Sequence, residues 1–238
     1  MKRFVRSKSR LVAMIIQPLF FLFILGSGFN AARMPGLEEG GYIDFLAPGI
    51  VAMAIMFSSM FTGVSVLWDK QFGFLQEVLV APVSRISIII GRTLGGATTA
   101  LIQGFIILFI AIGLGVPVSG ILGLLLTFIF MVLIAFTAVG FGLVLASKMR
   151  DFQGFPLVMN LVMMPLLFLS SAFIPIEANP ILKTIAFFNP LFYMVDGLRG
   201  SLIGTSNVLP PIVDLIIVSL ICIVMMTAGS YFFSKSEV

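Results

Sequence analysis

The chain has 238 residues, of which 60% are hydrophobic and 10% are charged, with a mean hydropathy of +1.19 and a formal net charge of +4. This composition is far outside the range of a soluble domain, so the chain belongs in a membrane. It contains no histidine and a single cysteine, Cys222. Histidine-based catalysis, metal ligation by His or Cys, and an intramolecular disulfide are therefore excluded.

Six transmembrane helices are predicted from the apolar stretches that contain no charged residue. An apolar helix crosses the bilayer with about 20 residues. Five such runs occur, and the one at 93–147 is long enough for two spans, which the turn residues at 115–120 separate. The predicted helices lie at 11–29, 46–68, 93–115, 120–147, 154–174 and 211–233. The sequence thus predicts an all-α integral membrane protein with one transmembrane domain over residues 1–238.

The distribution of basic residues predicts the orientation of this domain. Eleven of the fourteen Lys and Arg residues fall on the side of the membrane that holds the N-terminus, and only Arg33, Lys183 and Arg199 fall on the other. Because positive charge is retained in the cytoplasm, both termini are predicted to be cytoplasmic in a multi-pass protein of the plasma membrane. The net positive charge is then a topology signal, and no nucleic-acid partner is expected.

The segment after the second predicted span is unusual because it mixes polar residues into an apolar stretch. Within residues 72–80, Phe72, Leu75 and Leu79 share one face of a short helix, and Gln76 and Glu77 point away from it. Such a helix would lie on the cytoplasmic membrane surface. The residues that complete this segment are Gly73, Pro82, which ends the helix, and Arg85, which marks the return to the interface. An ordinary interfacial connector is the alternative.

A second unusual segment, residues 175–209, is expected on the outer side and is still hydrophobic. Asn179-Pro180 and Asn189-Pro190 each place a capping residue before a proline, which predicts the start of a helix. After the second pair, the sequence predicts an amphipathic helix, whose apolar face is formed by Leu191, Met194, Val195, Leu198 and Leu202. The prediction is two helices that enter the outer leaflet and return, with Gly200 and Gly204 allowing close packing. A loop resting on the surface is the alternative.

Polar residues are rare within the predicted spans. Gln17, Thr99, Gln103 and Asn160 are candidates either for hydrogen bonds between helices or for contact with a solute. Asp214, at the predicted outer edge of the sixth span, is expected to be solvated. Close helix approach is predicted at two pairs of small residues, Gly91/Gly95 and Ala138/Gly142.

No motif for catalysis or for ATP binding occurs. The sequence lacks the GxxxxGK[ST] phosphate loop, the GxSxG elbow and the HExxH pair. We therefore expect no enzymatic activity, no cofactor and no metal in this chain.

A resemblance to a known family appears in these segments. WDKQFGFLQEVLVAPVSR at 68–85, IIGR at 89–92, LGGATTALIQG at 94–104 and NPLFYMVDGLRGSLIG at 189–204 resemble the ABC-2 type transporter permeases, and most of all their daunorubicin-resistance branch of drug exporters. The similarity covers almost the whole chain in order. The family normally has an amphipathic helix before the first span, so the short leader MKRFVRSKSR is expected to be an incomplete version of it.

The resemblance implies a function in ATP-driven export. It implies that the 72–80 helix docks on a separate ATP-binding subunit. We hypothesise that Gln76 and Glu77 face that subunit. The same hypothesis anchors the helix against the base of the third span through Phe72, Leu75 and Leu79. The resemblance further implies that two permeases, a homodimer or a pair with a paralogue, form the pathway, and that residues 175–209 are the external re-entrant helices. The expected solute is a drug-like molecule or lipid. The alternatives are an ion-coupled carrier, which would need carboxylates or histidines in the spans, and a membrane scaffold.

Overall fold

The computed structural model describes residues 8–30, 41–72, 85–149, 151, 153–176, 179–204 and 208–235. These residues form helices, turns and short connections, with no strand among them. The helices are α1 Lys8–Asn30, α2 Tyr42–Gln71, α3 Arg85–Gly113, α4 Ile121–Lys148, α5 Gly154–Phe168, α6 Pro180–Phe187, α7 Pro190–Ile203 and α8 Pro211–Lys235. The predicted all-α class is confirmed for this part of the chain.

Four of these helices, α2, α3, α4 and α8, are long and apolar enough to cross a membrane, and the bent pair α6–α7 could supply a fifth span. The six-span prediction is not confirmed. The apolar part of α1 covers Ile15–Gly28, and α5 stops at Phe168 instead of continuing to residue 174. At about 1.5 Å per residue, α5 is shorter than the roughly 30 Å thickness of the hydrocarbon core.

The turn between α3 and α4 agrees with the prediction from its glycines. Gly115 and Gly120 have φ angles of 101° and 90°, in a region that favours residues without a side chain. The amide of Ser119 in this turn donates to the carbonyl of Leu202 at 2.8 Å, so the turn is fastened to α7. The hairpin therefore also positions the end of the α6–α7 pair.

Helix α4 lies at the centre of the bundle and packs against both α2 and α8. Glycines make these contacts close. A Cβ atom at Gly142 would lie 2.9 Å from the carbonyl oxygen of Met60 in α2, and one at Gly229 in α8 would lie 2.8 Å from the carbonyl oxygen of Gly140. The close approach predicted at Ala138/Gly142 is confirmed. The one predicted at Gly91/Gly95 is wrong for the described residues, because a Cβ at either glycine would meet no atom within 4 Å.

The two Asn-Pro pairs begin helices as predicted. The side chain of Asn179 accepts a hydrogen bond from the amide of Ile181 at 3.0 Å, and that of Asn189 accepts one from the amide of Leu191 at 2.9 Å. Helices α6 and α7 meet at an angle of 101°. Gly204, with φ of 84°, ends α7 beside the side chain of Ser119, which agrees with its predicted role in close packing.

The expected amphipathic character of α7 is wrong. Its predicted apolar face is buried, but Asp196, Arg199 and Ser201 are buried as well. The reason is that α7 packs against α2, α4 and α8 at once, so these helices cover its polar residues as well as its apolar ones.

Candidate functional site

An ion pair joins the end of α2 to the beginning of α3. These two ends border segment 73–84, which contains most of the predicted coupling residues. The guanidinium of Arg92, in α3, donates to the carboxylate of Asp69, in α2, at 2.5 Å. The two side chains keep 18% and 30% of their surface exposed, so water screens the pair in part. The ion pair ties the two helices together where the intervening segment 73–84 departs and returns.

Two of the predicted coupling residues lie at this end of the bundle. Phe72 is the C-cap of α2, its amide donates to the carbonyl of Trp68 at 3.1 Å, and its ring lies 4.9 Å from the Trp68 ring. The side chain of Phe72 is 63% exposed, and its anchoring against the base of the third span stays a prediction. Arg85 is the first residue of α3. The other predicted coupling residues, which lie outside the described residues, are Gly73, Leu75, Gln76, Glu77, Leu79 and Pro82.

A small cavity lies between α1, α2 and α3 and brings two of the predicted polar residues together. Its volume is about 50 Å³, and its polar lining consists of Gln17, Ser58 and Gln103. Ser58 and Gln103 are buried, and the hydroxyl of Ser58 has no hydrogen-bond partner among the described residues. The remaining lining is apolar and includes Pro18, Met53, Ala54, Phe57 and Phe61.

The cavity can hold a neutral hydrogen-bonding group. Amide and hydroxyl side chains both donate and accept, and no charged side chain is among the lining residues. Because about 10–15 Å³ of such space holds one water molecule, the cavity suits a few waters or a small polar group rather than a whole drug-sized solute.

The other two predicted polar residues do not join this cavity. The hydroxyl of Thr99 donates to the carbonyl of Gly96 in its own helix at 2.8 Å. Asn160 lies on the exposed surface of α5. Of the four candidates, the structure thus groups Gln17 with Gln103 and separates Thr99 and Asn160 from them.

A buried polar network around α7 was missed by sequence reasoning. Arg199 is 1% exposed, and its guanidinium donates to the hydroxyl and carbonyl of Ser171 at 3.0 and 2.6 Å and to the carbonyl of Phe45 at 3.2 Å. The guanidinium also lies over the Phe45 ring, 4.0 Å from its centroid. Arg199 therefore ties α7 to α2 and to the turn after α5.

Two carboxyl groups complete this network. Asp196 is fully buried and accepts hydrogen bonds from the amides of Val208 and Leu209 at 3.0 Å. The expected solvation of Asp214 is wrong, because its side chain is fully buried beside Asp196. The clue in the sequence was the pair Asp196 and Arg199, two opposite charges that lie three residues apart on an apolar helix. Charged residues in such a helix usually pair with one another inside the bundle.

Known proteins resemble this chain along most of its length. The family model for the ABC-2 type transporter matches residues 1–203. The transport permease ycf38 of Cyanophora paradoxa is 31% identical over 203 residues, which cover 82% of this chain and 70% of ycf38. The nodulation protein J of Rhizobium leguminosarum bv. viciae is 27% identical over 197 residues, covering 80% and 73% of the two chains.

A third relative is named for drug resistance. The daunorubicin resistance ABC transporter permease protein DrrB1 of Streptomyces coeruleorubidus is 27% identical over 206 residues, covering 83% of this chain and 70% of DrrB1. In this family the permease subunits are membrane components without catalytic activity of their own, and they generally work with an ATP-binding subunit. The chain belongs to the ABC-2 type transporter family.

Proposed function

We propose that this chain is the membrane-spanning permease subunit of an ATP-driven exporter in the plasma membrane. A separate ATPase subunit binds the segment around residues 72–80, and a second copy of the permease, or a paralogue, completes the pathway. The solute is a hydrophobic or amphipathic molecule, either drug-like or a lipid. Membership of the ABC-2 family and the relative named for daunorubicin resistance support this assignment.

The Asp69–Arg92 ion pair is the observation that carries the proposal. A protein without an ATP-binding motif needs a mechanical connection to its ATPase. A force applied to segment 73–84 would reach α2 and α3, whose ends the ion pair joins. Conformational change in the ATPase can then shift the membrane helices between inward-facing and outward-facing states.

The cavity with Gln17, Ser58 and Gln103 is the proposed contact for a polar group of the solute. Its uncharged donors and acceptors favour a neutral hydroxyl or amide over an ion, because an ion would be buried there without a countercharge. The apolar remainder of such a solute would lie between the helices or in the lipid.

The docking of the ATPase is tested by affinity purification of the chain from mild-detergent extracts of its native membrane, followed by an ATP hydrolysis assay. We expect an ATPase subunit to copurify with the unmodified chain and to be lost with the double variant Gln76→Lys and Glu77→Lys. The double variant Ser236→Lys and Glu237→Lys adds the same charge change near the predicted cytoplasmic C-terminus and should leave the complex intact. Copurification that survives the double variant overturns the docking site.

The role of the ion pair is tested in the reconstituted complex by charge exchange. Asp69→Arg alone should reduce transport while ATP hydrolysis continues, and adding Arg92→Asp should restore transport. The pair is partly exposed, so the free energy of unfolding should change by less than about 1 kcal/mol in either variant. Normal transport by Asp69→Arg alone would contradict a mechanical role of the ion pair.

A further inference from the structure

Three ionisable side chains lie in the interior of the bundle, those of Asp196, Arg199 and Asp214. Asp196 and Asp214 have no exposed surface, and Arg199 retains 1%. If all three were ionised, two negative charges would face one positive charge in a region of low dielectric constant. Buried charges are tolerated when they are paired and hydrogen-bonded, so the surroundings of each carboxyl group indicate its protonation state.

Asp196 has the surroundings of an ionised carboxylate. Both of its oxygens lie 3.0 Å from the amide nitrogen of Val208, and one lies 3.0 Å from the amide nitrogen of Leu209. Arg199 lies one helical turn further along α7 and acts on Asp196 as a favourable charge. Hydrogen bonds from amides and a nearby cation both stabilise the negative form.

Asp214 has the opposite surroundings. Neither of its carboxyl oxygens accepts a hydrogen bond from a donor group of the described residues. The carboxyl of Asp196 is its neighbour, because Gly197, the next residue of α7, packs against the Cβ of Asp214. A hydrogen bond between two carboxyl groups needs a proton on one of them. The place of Asp214 in the first turn of α8 favours negative charge, but this effect is smaller than the cost of an unpaired buried carboxylate.

The packing between α7 and α8 leaves little room for water to solvate a second charge. A Cβ atom at Gly197 would lie 2.9 Å from the Cβ of Asp214 and would collide with the ring of Phe130 in α4. The titratable and charged groups that face the pair from α7 are Arg199 and Tyr193. From α4 the neighbouring residue at Gly197 is the apolar Phe130, so the described part of this helix offers no countercharge at that contact.

We propose that Asp214 is a protonated carboxylic acid that donates a hydrogen bond to the carboxylate of Asp196, so that one shared proton fastens α7 to α8. The proton gives the network a net charge of zero, with Asp196 negative, Arg199 positive and Asp214 neutral. Removing it would place two like charges against each other and would favour separation of the two helices. The pair is therefore a proton-dependent latch between the re-entrant helix and α8.

Infrared spectroscopy of the purified full chain in lipid nanodiscs tests this assignment directly. We expect the carbonyl band of a buried carboxylic acid at neutral pH, with its usual shift in D₂O, and we expect Asp214→Asn to remove it. Asparagine keeps the volume and can donate to Asp196, so the fold should survive. Asp44→Asn is the matched control, because Asp44 lies in the first turn of α2 as Asp214 does in α8, and the band should remain.

Three results would overturn the proposal. They are the absence of the acid band in the unmodified chain, its persistence in Asp214→Asn, and its loss in Asp44→Asn. If Asp214→Asn does not fold, Asp196→Asn replaces it, and the band should then move in frequency because the acceptor changes from a carboxylate to an amide. An unmoved band would count against the pair.

The latch also predicts a pH effect on transport, which rests on the proposed function. In the reconstituted exporter, the pH is raised on the outer side of the membrane, where α7 is predicted to lie. This should change the transport rate of the unmodified chain and should have no such effect on Asp214→Asn. An equal pH response in both chains would reject the link to transport. Because the infrared assay needs neither ATPase nor solute, a failure of the proposed function is distinguished from a failure of the shared proton.

Discussion

At the scale of single residues, Arg199 shows how a charge can serve as a structural cross-link inside an apolar bundle. Its hydrogen bonds go to a serine and two backbone carbonyls, and its planar group lies over an aromatic ring. An arginine suits this position because its guanidinium presents several donors in a fixed plane and can stack on a ring. The residue therefore holds together three elements that are far apart in sequence.

We predict that Arg199→Lys lowers the free energy of unfolding by about 2 kcal/mol, because lysine cannot reach both Ser171 and Phe45 and leaves a buried carbonyl without a donor. Thermal or chemical denaturation in nanodiscs measures the change. Lys183→Arg on α6 is the reverse exchange at a less buried position, and we expect an effect within about 0.5 kcal/mol. Equal effects of the two variants would contradict the cross-linking role.

At the scale of elements, the helices are positioned by glycines and by capping asparagines. Gly63 and Gly142 bring the backbones of α2 and α4 into contact, and Gly140 and Gly229 do the same for α4 and α8. Without a hydrophobic driving force between helices in lipid, such close van der Waals contact is a main source of association.

The contribution of the glycines can be measured by one pair of variants. Gly63→Ala would push a methyl group into the carbonyl of Gly142, so we expect a loss of about 2 kcal/mol in the free energy of unfolding. Gly95→Ala meets open space in the described chain and lies inside α3, so it should gain about 0.5–1 kcal/mol. A loss of stability with Gly95→Ala would indicate a contact at α3 that the described residues do not contain.

The two capping asparagines should differ in importance. Asn179 caps α6 near the surface, and Asn189 caps α7 and also donates to the carbonyl of Leu166 at 2.6 Å. We predict that Asn179→Ala costs about 1 kcal/mol, as a cap alone does, and that Asn189→Ala costs about 2 kcal/mol because a second, partly buried bond is lost. Denaturation of both variants under the same conditions measures the difference, and equal losses would refute it.

At the scale of the whole molecule, the distribution of basic residues predicts which side of the bundle faces the cytoplasm. Both termini should lie there, and the connection between α7 and α8 should lie outside. This orientation decides on which side the ATPase would bind and on which side the Asp196–Asp214 pair would meet protons.

Cysteine labelling tests the orientation. In a Cys222→Ala background, Ser7→Cys, Ser206→Cys and Ser236→Cys each introduce one thiol. With a membrane-impermeant maleimide added to intact cells, we expect labelling of Ser206→Cys alone. Labelling of both termini in intact cells, with Ser206→Cys protected, would invert the orientation and would place the 72–80 segment outside.

Features that depend on composition and on neighbouring residues could be predicted from the sequence. The sequence alone determined the membrane class, the approximate places of the long helices, the glycine turn at 115–120, and the starts of α6 and α7 at Asn-Pro pairs. It also pointed to the family through local motifs. Such features follow from hydrogen bonds and backbone preferences within a few residues.

The tertiary structure alone decided which residues meet. It showed that Gly142 is a contact and that Gly95 meets no described neighbour, that α7 is enclosed on all sides, and that Asp214 is buried beside Asp196. It also placed Gln17 and Gln103, 86 positions apart by their numbers, at one cavity. The physical reason is that burial depends on the arrangement of neighbouring helices, and apolar faces in a membrane protein are similar on the lipid side and on the packed side.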